Sequence, residues 1–544
     1  MAFPASSSLA QSRSQARSMV ISTRGIVATE QTLASQAGAQ ILARGGSAVD
    51  AAIAANAALS VVEPMMCGPG GDLFALVRDS KTGQVAGINA SGWSPQALSL
   101  DYVDQHGFNT IRGIHAVTVP GCVDGWHKLH QRFGHIAWRD LFQPAIYYAS
   151  HGFPVTELIQ WEWQNSSLML QDEARSIYLP QGRAPNVGEI FRNPELAHAF
   201  YLIAELGPDA FYRGQIAEAI LKTSRRYGGT LAAADLSEYE SEWVQPISTT
   251  YRGWEVYELP PNGQGIGTLE MLNILENFQI GDYSQDGADA LHLKIEAQKL
   301  AIQDLRRYLG DPRHAPVPVQ GLLSKSYARE RAALIDPLKA NCSPVPGRPD
   351  LGHTTYLGAV DTDGNVVSWI QSIANFFGSG IVVDGMGILL HDRGASFVTE
   401  PGHPNALAPR KRPFHTIIPG FMQKDTRHVG FGIMRGMNQA QAQMQLVTNI
   451  VDHGMNIQHA LEAPRFTKQS LGGCDVQIES RVREEARQEL IRRGHRLSVV
   501  GDYSEYMGGG QVVMHDSAAM VNYGASSPRK DGAAVPEPDP YFKS

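Results

Sequence analysis

The sequence predicts a folded mixed α/β protein in which helices pack on β-sheet. Its 544 residues, 43% hydrophobic and 18% charged, can bury a large core, which excludes disorder, a collagen-like repeat and a small disulfide scaffold. Helical periodicity alternates with β-rich runs along the chain. No repeat of 20–50 residues is apparent, which disfavours a solenoid or a propeller. Length alone leaves the number of domains open.

The first half of the chain carries most of the helical signals. The alanine-rich segment 47–62 begins with the Ser-x-x-Asp spacing of a capping box and predicts a buried helix. The Pro/Gly-rich loop 63–72 lacks the lysine of a phosphate-binding loop, so we interpret it as structural or as the wall of a pocket; a strand follows at 73–79. Three- and four-residue spacing of apolar residues predicts a helical layer over 115–225, with helices at Gly125–Phe133, Trp138–Gly152 and Asn193–Leu206.

The middle of the chain contains a glycine-rich motif between a strand and a helix. The strand 254–259 leads through residues 260–267 (PPNGQGIG) into the helix 268–278. This is similar to a dinucleotide-binding turn, but the third properly spaced glycine and a later ribose-binding acid are missing, so a nucleotide-dependent oxidoreductase is a distant alternative. Residues 336–353, with four prolines and no apolar periodicity, predict an exposed connector and a boundary.

A β-hairpin is predicted directly after this connector. Two β-rich runs, 354–360 and 366–373, flank an Asp363-Gly364 dipeptide. With that dipeptide as a two-residue turn, Thr355 lies opposite Ser372, and Thr354 becomes a neighbour of Ser372. The hairpin therefore brings two hydroxyl groups together at the start of its first strand.

The last part of the chain predicts two helices and a pair of strands. The helices are Asn438–Asp452 and Arg481–Arg493, and the strands are about 496–500 and 511–514. A Pro/Gly-rich tail is expected from residue 524.

Charge and cysteine content limit the partners and the compartment. The 54 acidic and 46 basic side chains give a net charge of −8 without a dense Lys/Arg cluster, so nucleic acid is not expected as a partner. The four cysteines form no C-x-x-C pair, which predicts neither a disulfide framework nor a thiolate zinc site and favours a reducing compartment. No apolar stretch reaches about 18 residues, and no secretory signal is evident. We therefore expect a cytoplasmic protein without a membrane partner, with a short disordered N-terminal extension.

Thr354 is the candidate nucleophile. The sequence has no H-E-x-x-H, no G-x-S-x-G and no Walker lysine, and neither a metal nor a cofactor is expected. A threonine hydroxyl in mid-chain is a poor nucleophile because nothing beside it takes its proton. Cleavage between His353 and Thr354 would create an α-amine with a pKa of about 7.7–8.0 close to the hydroxyl, and so a base. The alternative, ordinary β-propensity of Thr-Thr at a strand start, stays open on these residues alone.

Several ordered segments resemble the γ-glutamyltransferase family of N-terminal-nucleophile hydrolases. The likeness runs from about residue 24 to 515, and the segments that carry it are GIVATEQTLASQAGAQILARGGSAVDAAIAANAALSVVEP, ELPPNGQGIGTLEMLNILENF, GHTTYLGAVDTDGNVVSWIQSIANFFGSGIV, ILLHDRGASF, KRPFHTIIPGF and TNIVDHGMNIQHALEAPRF. The resemblance implies a four-layer αββα sandwich and self-cleavage before Thr354. It implies a flexible arm (1–23), a large chain (24–353) and a small chain (354–544) that form one intertwined domain.

The resemblance also assigns the groups around the nucleophile. Ser372 matches a position, usually threonine, that hydrogen-bonds the nucleophile; the alternative is a polar residue on a strand edge. Arg435 and Gly436 match the Gly-Gly turn whose backbone N–H groups form the oxyanion hole. Arginine adopts a positive φ less readily than glycine, so this turn departs from the usual pattern.

Substrate recognition departs further from the usual pattern. The arginine and aspartate that typically clamp the γ-glutamyl group are replaced by Ser91 and Ser396, which predicts poor binding of a free glutamyl head. The family asparagine two residues past Ser372 is Ala374, and the paired serines are replaced by His415 and Thr416 as expected substrate contacts. Arg393 stands where glutamine is usual.

A guanidinium suits a carboxylate, so Arg393 is the candidate for binding an acidic acyl group; the alternative is an arginine in a surface salt bridge. This variant pattern is similar to a divergent branch that includes glutaryl-type acylases and oxamate amidohydrolase. The sequence thus predicts a self-processing amidohydrolase or acyltransferase for a γ-glutamyl or similar acidic acyl amide, a small-molecule substrate. Conventional glutathione hydrolysis and an unprocessed, silent binding protein are the alternatives.

Overall fold

The computed structural model describes residues 15–108, 111–343, 353–468, 470 and 472–541. The strands are β1 Val20–Ser22, β2 Ile26–Thr29, β3 Asp72–Arg78, β4 Val85–Ala90, β5 Phe153–Pro154, β6 Ile190–Phe191, β7 Glu242–Val244, β8 Ile247–Tyr251, β9 Trp254–Glu258, β10 His353–Val360, β11 Val366–Ala374, β12 Gly420–Lys424, β13 Arg427–Ile433, β14 Phe466–Thr467, β15 Asp475–Glu479, β16 Arg496–Val500, β17 Gly510–Asp516, β18 Val521–Ser526 and β19 Ala533–Pro536.

The α-helices are α1 Thr32–Ala43, α2 Ala48–Val62, α3 Leu100–Gln105, α4 Cys122–Phe133, α5 Gln143–His151, α6 Glu157–Ser166, α7 Asp172–Tyr178, α8 Pro194–Leu206, α9 Pro208–Tyr212, α10 Gln215–Arg226, α11 Ala233–Ser237, α12 Gly265–Leu275, α13 Ala288–Tyr308, α14 Val319–Leu322, α15 Lys325–Ala332, α16 Asn438–Val451, α17 Ile457–Glu462 and α18 Glu484–Arg492. Short 3₁₀ turns, such as Trp138–Phe142, join several of them.

Two antiparallel seven-stranded sheets pack face to face with helices outside, in the four-layer αββα arrangement expected from the resemblance. The first sheet has the order β19-β2-β10-β11-β3-β4-β7, and the second has the order β1-β18-β17-β13-β12-β9-β8. Helices α1 and α2 cover the first sheet, while α12 and α16 cover the second. Both sheets contain strands from before and after residue 354, so the two segments are interleaved.

Three apolar clusters correspond to the three interfaces between these layers. One cluster joins α1, α2 and the helices of residues 115–225 to the outer face of the first sheet. A second joins the second sheet to α12, α13 and α16. A third lies between the sheets and includes Phe74, Tyr356 and Val513. Because side chains alternate along a strand, each strand packs one face against the helical layer and the other against the opposite sheet.

The predicted helices are confirmed with small shifts at their ends. Ser47 caps α2 in the predicted capping box, in which its side chain accepts from the Asp50 amide and the Asp50 carboxylate accepts from the Ser47 amide. The segment 138–152 divides into a 3₁₀ turn and α5, and its proline lies in the first turn of that helix. Proline there is compatible with a helix because the first N–H groups have no intrahelical acceptor.

The predicted hairpin forms, but its predicted register is wrong by one residue. The loop has three residues, 362–364, and Gly364 adopts φ 82°, so Thr355 pairs with Gln371 rather than Ser372. A three-residue loop with a left-handed glycine is an alternative to the two-residue turn and shifts the pairing. A bulge between His353 and Thr355 then places two β11 residues opposite Thr354.

The chain near both termini is more ordered than predicted. Residues 20–22, assigned to the flexible arm, form β1 and pair with β18. The expected tail from residue 524 is wrong, because β18 and β19 complete one sheet each. Proline in β19 is compatible with its place at a sheet edge. Residues 1–14 of the arm lie outside the described residues.

A disulfide joins Cys342 to Cys474, contrary to the expectation that the cysteines are unpaired. Their sequence separation of 132 conceals the pairing in the sequence, and only the fold brings their Cα atoms to 4.8 Å. The bridge removes the cysteine argument for a reducing compartment. The start of the predicted exposed connector is also docked, since the Ala340 amide donates to the Arg493 carbonyl; residues 344–352 lie outside the described residues.

No helix in the described part of the chain is both long enough and apolar enough to cross a membrane.

Candidate active site

The Thr354 hydroxyl lies at the start of β10, on the face of the first sheet that points toward the second. Thr354 is fully buried, and its Oγ1 accepts a hydrogen bond of 3.1 Å from Gln439 Nε2. Gln439 is fixed in turn because its Oε1 accepts from the Ile418 amide at 3.2 Å. The amide group orients the hydroxyl but cannot deprotonate it, because a side-chain amide nitrogen is a donor only. The chain is continuous through the 353–354 peptide bond.

Ser372 and Ile373 lie opposite Thr354 at the bulge, so Ser372 is a neighbour of Thr354 as predicted but does not lie opposite Thr355. Ser372 Oγ accepts hydrogen bonds from the Ala374 amide at 2.8 Å and from Arg393 Nη2 at 3.1 Å. Ala374 adopts φ 73°, where the chain turns away from β11. Ser372 is therefore a buried hydroxyl next to the candidate nucleophile and in direct contact with the candidate substrate arginine.

Asp72 is the electrostatic centre of the site. Its Oδ2 lies 2.9 Å from both His391 Nδ1 and His415 Nε2 and 3.4 Å from Arg393 Nε. Its Oδ1 accepts from the Gly92 amide at 2.9 Å. Burial alone would raise the pKa of Asp72, but the two histidines outweigh it and hold that pKa well below its usual range. Asp72 is thus a buried anion that neutralises the cationic side of the site.

Arg393 is buried inside the site rather than salt-bridged at the surface. Besides Asp72 and Ser372, its guanidinium contacts Thr416, to whose Oγ1 Nη1 donates at 2.9 Å. Burial lowers the pKa of His415 most, and the positive charge of Arg393 lowers it further. The pKa is about 4, so this imidazole is neutral at neutral pH. The structure therefore brings Arg393, His415 and Thr416 together, as their proposed common role requires.

The Arg435-Gly436 turn, the candidate oxyanion hole, has a positive φ at both residues. It connects β13 to α16, with φ 98° at Arg435 and 51° at Gly436. Among the described residues, neither amide has a hydrogen-bond acceptor. The Arg435 side chain forms an ion pair of 2.9 Å with Glu505 and lies over the Tyr506 ring at 4.9 Å. These contacts offset the strain of a non-glycine residue in the left-handed region.

The glycine-rich segment 260–267 supports this turn instead of forming a nucleotide site. Gln264 Nε2 donates to the Gly436 carbonyl at 2.8 Å and to the Thr416 carbonyl at 2.7 Å. A Cβ on Gly267 would lie 2.7 Å from Leu305, so this glycine allows close helix packing. The segment therefore connects two parts of the site by hydrogen bonds.

The two positions of the missing glutamyl clamp hold no charge. Ser91 is fully buried and donates to Asn89 Oδ1 at 2.7 Å, while Ser396 accepts from Asn405 Nδ2 through its carbonyl oxygen. Neither serine carries the charge that would bind an α-carboxylate or an α-amine. Any acidic substrate group must be bound by other residues.

One group of side chains has the donor types of a metal site, apart from the candidate active site. His292, Glu296 and His495 are buried, with ligand atoms within 4.8 Å of one another. His292 Nδ1 and His495 Nε2 lie 2.8 Å apart and form a hydrogen bond with each other. Lys299 Nζ lies 2.7 Å from the Glu296 carboxylate. An ammonium on the carboxylate disfavours a bound cation, so we interpret this group as a structural network.

Sequence reasoning missed Asp72 and Gln439. No role is predicted for Asp72, the last residue of the loop 63–72, although an acid at the start of a buried strand indicates a paired charge. Gln439 is the first of four alternate glutamines (QAQAQMQ) on α16, and nothing in that pattern indicates which side chain reaches the candidate nucleophile. Both contacts join residues far apart in sequence.

Comparisons with known proteins extend over nearly the whole chain. The family model described as gamma-glutamyltranspeptidase matches residues 34–537. The glutathione hydrolase-like YwrD proenzyme of Bacillus subtilis (strain 168) is 38% identical over 95% of this chain and 99% of its own, and the glutathione hydrolase proenzyme of Escherichia coli (strain K12) is 33% identical over 93% and 90%. The crystal structure of cephalosporin acylase from Bacillus halodurans superposes with a TM-score of 0.90 and 41% identity, covering 98% of this chain and 99% of that one.

Proposed function

Because the chain belongs to the gamma-glutamyltranspeptidase family, whose members include hydrolases and acylases, we propose that it is a self-processing N-terminal-threonine amidohydrolase or acyltransferase. Its substrate is a γ-glutamyl or similar acidic acyl amide, which reacts through an acyl-enzyme. Cleavage between His353 and Thr354 generates the active form, with a large chain that ends at residue 353 and a small chain of residues 354–544.

The observation that carries this proposal is the surroundings of the Thr354 hydroxyl. It is buried beside Ser372 and held by the side chain of Gln439. The backbone N–H of Gln439 donates to the Gly436 carbonyl at 3.2 Å. Hydrogen bonds of Gln439 thereby connect the proposed nucleophile, Thr354, to the proposed oxyanion turn. This matches what acyl transfer requires, namely a nucleophile and two free N–H donors around one carbonyl.

Processing supplies the missing base. The α-amine of a new N-terminal threonine has an unperturbed pKa of about 7.7–8.0 and removes the proton from Oγ1. Oγ1 then attacks the substrate carbonyl, and the amides of Arg435 and Gly436 stabilise the oxyanion. The amine gives its proton to the leaving nitrogen, and water or an acceptor amine attacks the resulting ester.

Arg393 is the group proposed to select an acidic acyl chain. Its buried guanidinium lies next to Ser372, the neighbour of the candidate nucleophile, with Nη2 3.1 Å from Ser372 Oγ. A carboxylate on the acyl group can pair with it, whereas the uncharged Ser91 and Ser396 cannot bind a free amino-acid head. A glutaryl and a γ-glutamyl group share this carboxylate, but the γ-glutamyl group adds an α-ammonium for which Ser396 supplies no charge, so this arrangement favours the glutaryl group.

A gel after reduction tests processing. Wild type should give bands of about 38 and 21 kDa by residue share of the 59.2 kDa chain, with threonine at the start of the smaller one. Thr354→Ala should stay as one band, because it has no hydroxyl. Thr362→Ala, at an exposed position of the same hairpin, is the matched control and should be cleaved normally. A wild-type protein that stays intact would instead support the silent binding protein.

A substrate panel tests specificity. Processed enzyme is incubated with glutaryl anilide, γ-glutamyl anilide, glutathione and oxamate, and kcat/KM is compared. The proposal expects glutaryl anilide to be preferred over the γ-glutamyl compounds. Efficient glutathione turnover would contradict the argument from the missing clamp and favour conventional glutathione hydrolysis.

A further inference from the structure

A cluster of four fully buried ionisable side chains lies beside the start of β10. It consists of Glu30, Glu63, Glu162 and Lys530. Lys530 Nζ lies 2.8 Å from Glu63 Oε1 and 2.6 Å from Glu162 Oε2. Glu63 also accepts from the Thr355 hydroxyl at 2.8 Å. Three carboxyl groups thus share one ammonium, and Glu30 is the one that the lysine does not contact.

At the end of the pairing between β2 and β10, the Glu30 side chain takes the place of a backbone carbonyl as a hydrogen-bond acceptor. Strand β2 pairs with β10 up to Thr29 opposite Leu357, and the next pair would join Glu30 to Tyr356. Instead, the Tyr356 amide donates to the side-chain Oε1 of Glu30 at 3.4 Å. The carboxyl group therefore lies along β10, on the edge that faces away from β11.

Strand geometry directs the scissile nitrogen toward this carboxyl group. Successive N–H groups of a strand point to opposite neighbours, so the Thr354 amide points to the same side as the Tyr356 amide. Side chains also alternate along β10, so Thr354 is on the same face as Tyr356, which packs between the sheets with Ile26 and Ala28. Because the pair after Thr29 and Leu357 would join Glu30 to Tyr356, Glu30 stands diagonal to Thr354 in register, a separation that a long side chain can span.

The second oxygen of Glu30 has a free bonding position. Oε2 is buried and has no hydrogen-bond partner among the residues that the structure describes. Burial, and next to it the charge of Glu63, raise the pKa of Glu30 well above its usual value despite the opposing charge of Lys530. The shift in pKa favours the protonated carboxyl group, which can donate a proton.

We propose that Glu30 is the proton carrier for self-cleavage at Thr354. The inference rests on the proposed function. Thr354 Oγ1 bonds to the carbonyl carbon of His353, the bond from that carbon to the Thr354 nitrogen breaks, and the Glu30 carboxyl gives its proton to the departing nitrogen. The hydroxyl proton of Thr354 restores the carboxyl. Water then attacks the ester, which releases the His353 carboxyl group and frees the Thr354 hydroxyl.

The test follows cleavage of newly made precursor over time. Wild type, Glu30→Gln, Glu162→Gln and Thr354→Ala are produced by cell-free synthesis, quenched in detergent at intervals and resolved on reducing gels. Glutamine keeps the acceptor for the Tyr356 amide but cannot carry the proton, so Glu30→Gln should be cleaved about 100-fold more slowly than wild type. Glu162→Gln removes a carboxyl group from the same cluster and should be cleaved within about threefold of wild type.

The outcomes separate this proposal from the proposed function. An uncleaved wild type would overturn both, whereas cleavage of wild type and Glu30→Gln at one rate would overturn only the role of Glu30. Equal slowing of Glu30→Gln and Glu162→Gln would also overturn it, because it would point to the cluster as a whole. If gel filtration shows that Glu30→Gln is misfolded, Glu30→Asp decides: cleavage of this carboxyl variant supports the proposal, and a folded but uncleaved Glu30→Asp contradicts it.

Discussion

At the scale of single residues, the site depends on how charge is compensated where water is absent. Asp72 is ionised in a fully buried position because Arg393 and two imidazoles surround it. Removing one partner of such a group leaves an unpaired buried charge, which costs about 3–5 kcal/mol. Arg393, which is proposed to bind the acidic substrate, is thus also part of the protein's own charge network.

Replacing Arg393 tests its role at this scale. Arg393→Gln should raise KM for glutaryl anilide about 10- to 100-fold, because a charge-assisted hydrogen bond contributes about 1.5–3 kcal/mol. KM for butyryl anilide, which has no carboxylate, should change much less. Steady-state kinetics with both substrates give the comparison, and an equal loss for both would show that Arg393 only supports the structure.

At the scale of elements, the loop 63–72 determines where β11 ends. Gly68 exchanges hydrogen bonds with the Gln371 side chain, its amide donating at 3.0 Å and its carbonyl accepting at 2.6 Å. The Gly70 carbonyl accepts from the His391 amide at 3.1 Å. The loop therefore aligns the strand that carries Ser372 with the segment that carries Arg393, which confirms its structural interpretation.

Two glycines of this loop give a matched pair of substitutions. A Cβ at Gly71 would lie 2.2 Å from the Ser372 carbonyl oxygen, whereas the nearest atom to a Cβ at Gly68 is 4.0 Å away. Gly71→Ala should therefore lower stability by about 1–3 kcal/mol through overpacking and displace Ser372, while Gly68→Ala is tolerated. Thermal unfolding monitored by circular dichroism, together with the rate of processing, provides the measurement. Equal melting temperatures for both variants would contradict the argument.

At the scale of the whole molecule, the two segments separated by residue 354 form one structure. Strand β10 lies between β2, from the first segment, and β11, from the second. The disulfide then joins Cys342, upstream of the proposed cleavage site, to Cys474 downstream of it. Cleavage should leave the fold intact, because sheet hydrogen bonds and a covalent bridge both connect the chains.

The bridge predicts different gel patterns with and without reductant. Processed wild type should run near 59.2 kDa without reductant and separate into two chains with it. Cys342→Ser should give two chains under both conditions, since it lacks the bridge. Two bands from unreduced wild type would show that these cysteines are not paired in solution.

The sequence by itself determined the parts of this protein that depend on residues close together in the chain. The capping box of α2 and the hairpin that brings Thr354 near Ser372 follow from local pattern, and the proposal of a self-processing threonine follows from that pattern together with the family resemblance. The register of that hairpin could not be predicted in this way, because the sequence does not decide between a two- and a three-residue loop.

The tertiary structure decided everything that depends on contacts between distant segments. Asp72 reaches Arg393, Gln439 reaches Thr354, and Cys342 reaches Cys474 across separations of more than 80 residues. The Glu30 side chain reaches the Tyr356 amide only because β2 ends one residue before Glu30. Such contacts arise from packing two sheets and two helical layers together, and buried charges are compensated by whatever that packing places beside them.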